Sequence, residues 1–167
     1  MAVTKTVIVS SCLLGSPVRY DGCGKACDAA LALQRSEGYR LIAVCPEQMG
    51  GLPTPRNPAE IVGGSGAEVL QGKARVVDSA GCDVSEAFIK GAQKVLDIAY
   101  REGAAEALLK ACSPSCGCRQ VYDGTFKGRL KKGEGVTAAL LRQRGVAVYS
   151  EDEAGYLVER LKPYRPA

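Results

Sequence analysis

The chain has 167 residues, 46% hydrophobic and 24% charged, with a formal net charge of +4. These are the proportions of one globular domain that buries a core without staples. The absence of His excludes an imidazole base, a His metal ligand and a Ser-His-Asp triad. Aromatics are scarce, with no Trp and two Phe. A stacking platform for single-stranded nucleic acid is therefore poorly supplied. The scattered positive charge suits an anionic small molecule at least as well as a polynucleotide, and a polynucleotide partner is not expected. No run of about 20 apolar residues predicts a membrane span. The first residues, Met-Ala-Val-Thr-Lys-Thr, lack a signal peptide's apolar region and cleavage site, so the expected location is the cytoplasm.

Residues 6–10 (TVIVS) read as a buried parallel strand. A Gly-rich loop leads to a helix over 27–37, stopped by Gly38. Residues 40–44 (RLIAV) are a second buried strand running into Cys45-Pro46-Glu47, where proline ends regular pairing. The segment 49–66 is rich in Gly and Pro and irregular. Residues 68–77 pair with Ile61-Val62 as a hairpin around Gly63-Gly64. These glycines fit turns, since no Walker or dinucleotide fingerprint surrounds them.

The clearest helix covers 84–102, with Asp83 as its cap, Glu86 completing a capping box, and an apolar face of Val84, Ala87, Phe88, Ala92, Val95, Leu96 and Ala99. Residues 106–111 are a third strand, ending at Cys112-Ser113-Pro114-Ser115-Cys116-Gly117. A loop or hairpin follows over 120–135, in which Lys131 and Lys132 read as solvated. A helix over 136–144, a strand over 146–149 and a helix over 152–161 complete the chain. Alternating strands and helices predict a single α/β domain, 1–167, around a mostly parallel sheet covered on both faces. Tyr-Asp-Gly occurs at 20–22 and at 122–124, which fits two unrelated turns.

Eight cysteines in a reducing compartment read as thiols, metal ligands or catalytic groups rather than as a disulfide framework. Some are ordinary buried residues, and Cys82 is expected to be one. Three strands end in thiols: Cys12, Cys45 and Cys116. Ligands of open α/β sheets bind outside the carboxyl ends of the strands, so neighbouring strands would bring these thiols to one metal site. The chain holds no Cys-x-x-Cys pair, which argues against a zinc ribbon or a bacterial ferredoxin. A closed zinc site would need a fourth thiolate from Cys112 or Cys118, and buried or redox thiols remain the alternative. Glu47 is the obvious carboxylate for proton transfer; its bland alternative is a pair with Arg56. Ser113 and Ser115 offer hydroxyls, and the backbone after Cys116-Gly117 offers N–H groups to an anion. Cys23 and Cys27 flank a loop expected near the same strand ends.

Taken in series, SSCLLGSPVRYDG, CPEQMGGLPTPRNPAE, KACSPSCG, YDGTFKG and GEGVTAALLRQRGVAVYSE resemble the bacterial thiouracil desulfidase family over about residues 7–151. The resemblance implies a three-layer αβα, Rossmann-like fold. It also implies a [4Fe-4S] cluster on Cys12, Cys45 and Cys116, with one iron lacking a protein ligand. Glu47 and Ser113 fall where the family has its acid/base residues. The implied reaction is non-redox desulfuration of a small thiolated pyrimidine base, nucleoside or nucleotide. The alternatives are a non-catalytic iron-sulfur or metal-binding module or sulfur carrier, and a metal-free thiol-redox enzyme using Cys112 and Cys116.

Overall fold

A computed structural model describes residues 4–160. Residues 1–3 and 161–167, the latter including the expected end of the last helix at 161, lie outside the described residues. The first half of the chain contains β1 (Lys5–Ser10), α1 (Asp28–Gln34), β2 (Tyr39–Val44), α2 (Pro46–Met49), β3 (Ala59–Val62), α3 (Gly66–Leu70) and β4 (Arg75–Asp78). Then follow α4 (Ser85–Glu102), β5 (Glu106–Leu109), β6 (Gln120–Tyr122), β7 (Leu130–Lys132), α5 (Val136–Gln143), β8 (Ala147–Ser150) and α6 (Ala154–Arg160). Short 3₁₀ turns occupy Ser11–Leu14 and Glu151–Glu153.

Four strands form one parallel sheet in the order β2-β1-β5-β8. Side chains alternate across it. Ile8, Ala107 and Leu109 pack with α4 and α5 on one face, while Val7, Val9 and Leu108 pack with α1 and α6 on the other. Each fully buried Leu, Ile or Val contributes roughly 1.5–3 kcal/mol, so this double-faced core explains why the central strands read as unbroken apolar runs. β2, expected to be buried, is an edge strand in which only Val44 is buried. The result is a three-layer αβα fold. The chain leaves β1 in one direction to reach β2 and in the other to reach β5, which makes the β1/β5 boundary the switch point where such sheets bind ligands.

Local differences from the sequence-based expectations have identifiable causes. β3 and β4 do pair antiparallel, with Ile61 opposite Val76. Residues 66–70 between them, however, form α3, because Ser65 and Glu68 make a capping box, the Ser65 N–H donating to Glu68 Oε2 at 2.9 Å. At α4 the expected box is absent: Val84 is the N-cap, and Asp83 accepts from the Ser85 N–H. Pro46 starts α2, where its missing N–H has no helical partner to lose. Cys82 is exposed rather than buried. β6 and β7 form an antiparallel hairpin, and Lys131 Nζ donates to Ile61 O at 3.1 Å instead of facing only solvent.

Two close approaches aim the loops at the sheet end. A Cβ on Gly91 of α4 would lie 1.9 Å from Pro46 O, and one on Gly50 would lie 2.0 Å from Ala87 O. Only glycines allow the α2 turn to sit directly on α4. No helix among the described residues is long and apolar enough to cross a membrane.

Candidate active site

Ser10 pairs with Val44 at the carboxyl end of β1 and β2, and Ser11 Oγ donates to Val44 O at 3.1 Å. That lock sets Cys12, on the 3₁₀ turn, beside Cys45, the N-cap of α2. Cys116 comes from the loop after β5. Its thiol accepts from Ser10 Oγ at 3.4 Å, and Ser10 Oγ in turn accepts the Lys110 N–H at 2.9 Å. All three cysteines line one cavity of about 530 Å³, together with Glu47, Arg56, Cys112, Ser113 and Ser115.

Burial raises each thiol pKa: Cys12 to about 11, partly offset by the Lys110 charge; Cys45 by burial; and Cys116 to about 12, opposed by the Ser10 and Ser115 hydroxyls. Cys12 lies near enough to Cys45 and Cys116 for their charges to interact. Among the described residues no three Cys, Asp or Glu side chains close on a single metal ion. The donor set nevertheless fits an iron-sulfur cluster. Such a cluster is soft and takes thiolates on separate irons, so its ligands stand apart around a cavity rather than converging on one point.

The loop 112–117 is held from behind by α5. Val136 N–H donates to Pro114 O at 2.9 Å and Thr137 N–H to Ser115 O at 2.8 Å. A Cβ on Gly135 would lie 2.5 Å from the Ser115 carbonyl carbon, so this approach needs glycine. Within the loop, Ser113 Oγ accepts from the Ser115 and Cys116 N–H groups at 3.2 Å each, and Gly117 N–H donates to Ser113 O. The Ser115, Cys116 and Gly117 N–H groups are therefore used inside the loop.

Glu47 carries the pair with Arg56 that the bland reading allowed, yet it also lines the cavity. Arg56 Nε and Nη2 both lie 2.5 Å from Glu47 Oε2, with side chains only 8% and 13% exposed. Arg56 also donates to Pro53 O, Thr54 Oγ1 and Val18 O. The other carboxylate oxygen, Oε1, accepts from Ser115 Oγ at 3.1 Å, and Ser113 Oγ lies 3.0 Å from Ser115 Oγ. Ser113 thus reaches Glu47 only through Ser115. Since Ser113 Oγ already accepts two N–H groups, its own O–H is free to donate to Ser115, giving a directed chain Ser113–Ser115–Glu47. Glu47 and Arg56 also belong to the lining of a second hollow of about 460 Å³, with Leu52, Pro53 and Phe88.

Cys23 and Cys27 do not line the main cavity, and Cys118 is turned toward Glu153 Oε1 at 3.9 Å. Sequence reasoning overlooked Lys110, Tyr20, Tyr122 and Phe126, all of which line it. The repeated Tyr-Asp-Gly was the available signal for two of them.

A family model for 2-thiouracil desulfurase matches residues 7–153. The chain belongs to the 2-thiouracil desulfurase family. A curated relative, the uncharacterized protein YbbK of Bacillus subtilis (strain 168), is 46% identical over 147 residues, covering 88% of this chain and 96% of the relative. A solved structure named [4Fe-4S]-dependent thiouracil desulfidase TudS matches with a TM-score of 0.82 and 44% identity, covering 96% of this chain and all of that one. The desulfurase family therefore accounts for both the fold and the match across the strand-end motifs.

Proposed function

We propose that the chain, acting as a single domain, removes sulfur from a small thiolated pyrimidine base, nucleoside or nucleotide. The net change is C=S plus water to C=O plus hydrogen sulfide, without redox. The observation that supports it is the meeting of Cys12, Cys45, Cys116 and Glu47 around one cavity, in a member of the desulfurase family. A [4Fe-4S] cluster held by Cys12, Cys45 and Cys116, with one iron free of protein ligands, would supply a soft Lewis acid for the thiocarbonyl sulfur. Glu47 takes the proton from the attacking water through the remaining capacity of Oε1. Ser115 holds Oε1 in place, and Ser113 passes or orients a proton along the serine pair. Arg56 fixes the carboxylate plane from the opposite side. A site that needs Cys12, Cys45 and Cys116 as free thiols fits a reducing cytoplasm.

The test is anaerobic reconstitution with iron and sulfide, followed by the thiocarbonyl absorbance of 2- and 4-thiouracil and sulfide release. Wild type is expected to turn over; Glu47→Ala is expected to keep its iron and lose turnover. A fully loaded wild type inert toward bases, nucleosides and nucleotides would replace the enzyme with a cluster-holding module.

A further inference from the structure

Aromatic side chains are few here, yet three of the large hydrophobics left exposed, Tyr20, Tyr122 and Phe126, line the thiol cavity. Phe126 is 39% exposed and has φ +58°, a backbone conformation bulky residues rarely adopt. Such conformations persist where surrounding contacts impose them, and they gather at ligand clamps. The imposing contact is Glu60 on β3, itself buried and lining the same cavity. Its Oε1 accepts the N–H groups of Gly124 at 2.9 Å and Phe126 at 3.1 Å. Gly124 is pressed so closely on β3 that a Cβ would lie 2.8 Å from Ile61 O. Asp123 N–H closes the loop by donating to Arg129 O at 2.9 Å. The loop is thus built to hold an aromatic ring at the cavity against its own conformational preference.

We propose that Phe126, backed by Tyr20 and Tyr122, is the wall on which the flat face of the pyrimidine substrate stacks, and that Glu60 is its positioning residue. This rests on the desulfuration reading for the identity of the ring. A pyrimidine keeps its π-face whether its edge carries sulfur or oxygen. The wall therefore binds substrate and product alike. Binding of that uniform kind sets KM and leaves kcat alone.

The chain has no Trp, so Phe126→Trp installs a single indole at the wall. In anaerobically reconstituted protein its emission is expected to be quenched saturably by 4-thiouracil and perturbed saturably by uracil. Phe126→Ala is expected to raise KM about tenfold, equivalent to about 1.4 kcal/mol, with kcat within about twofold. Glu60→Ala should raise KM likewise, and Glu60→Gln, whose amide oxygen still accepts both N–H groups, should restore it. Normal wild-type turnover with no saturable signal, or a Phe126→Ala loss confined to kcat, overturns the wall while leaving the desulfuration reading intact. Saturation by 4-thiouracil in a protein that desulfurises nothing supports the wall and sinks that reading instead. Saturation by a thiolated oligoribonucleotide but not by free bases overturns the proposal in favour of an RNA surface.

Discussion

Replacing Arg56 by Met takes the guanidinium away from a carboxylate that stays behind. With Arg56 and Glu47 only 8% and 13% exposed, the result is a mostly buried, unpaired charge, and breaking such a pair costs about 3–5 kcal/mol. The cavity wets one side of Glu47, so the lower end, about 3 kcal/mol, applies. For a domain of this size that lowers Tm by about 6–12 °C. The assay is thermal unfolding of reduced, metal-free protein, with kcat measured in parallel after reconstitution; kcat should fall because Oε2 is no longer held. Arg56→Met combined with Glu47→Gln should recover at least about 1 kcal/mol relative to Arg56→Met alone, since the stranded charge is then gone. A Tm shift below about 2 °C, or a double variant no more stable than Arg56→Met, would refute the reasoning.

Cys12→Ser, Cys45→Ser and Cys116→Ser should each abolish stable iron and acid-labile sulfide incorporation, whereas Cys23→Ser and Cys82→Ser should load like wild type; elemental analysis after desalting decides. In metal-free protein, iodoacetamide should label exposed Cys23 and Cys82 first and Cys12 and Cys116 last, because the latter two are buried and their thiols stay protonated; peptide mass spectrometry gives the order. Gly91→Ala, which in an open helix would stabilise by roughly 0.5–1 kcal/mol, should instead destabilise by about 1–3 kcal/mol, since the added carbon would meet Pro46 O at 1.9 Å. It should also lower kcat by shifting the turn that carries Glu47.

The parallel sheet was legible in the sequence because its central strands are buried on both faces, and unbroken apolar runs such as residues 6–10 leave little else to read. The strand-end thiols followed from the same pattern, since sheet geometry gathers whatever follows each strand. Helix α3 was not legible: its five residues carry no period, and the Ser65–Glu68 box outweighed the strand-like residues beside it. The role of Ser115 was hidden because periodicity says nothing about loop geometry. Only the α5 N-terminus packing behind Pro114 and Ser115 turns that hydroxyl toward Glu47. The aromatic wall was hidden for another reason. Tyr20, held by the Arg56 N–H, and Phe126, held by Glu60, reach one cavity from loops about a hundred residues apart, which no local spacing encodes.

The contact between Ser10 and Cys116 joins residues 106 positions apart, and this separation sets a schedule for the molecule's birth. A ribosome adding roughly 5–20 residues per second exposes Cys12 roughly 5–20 seconds before Cys116 is made. Cys45 follows Cys12 by 33 residues, so for most of that interval the nascent chain has two of the three thiols and no cavity wall to oppose them. Any cofactor spanning all three can therefore be completed only once residue 116 has been made, so iron starvation should leave a stock of complete, empty protein rather than truncated forms.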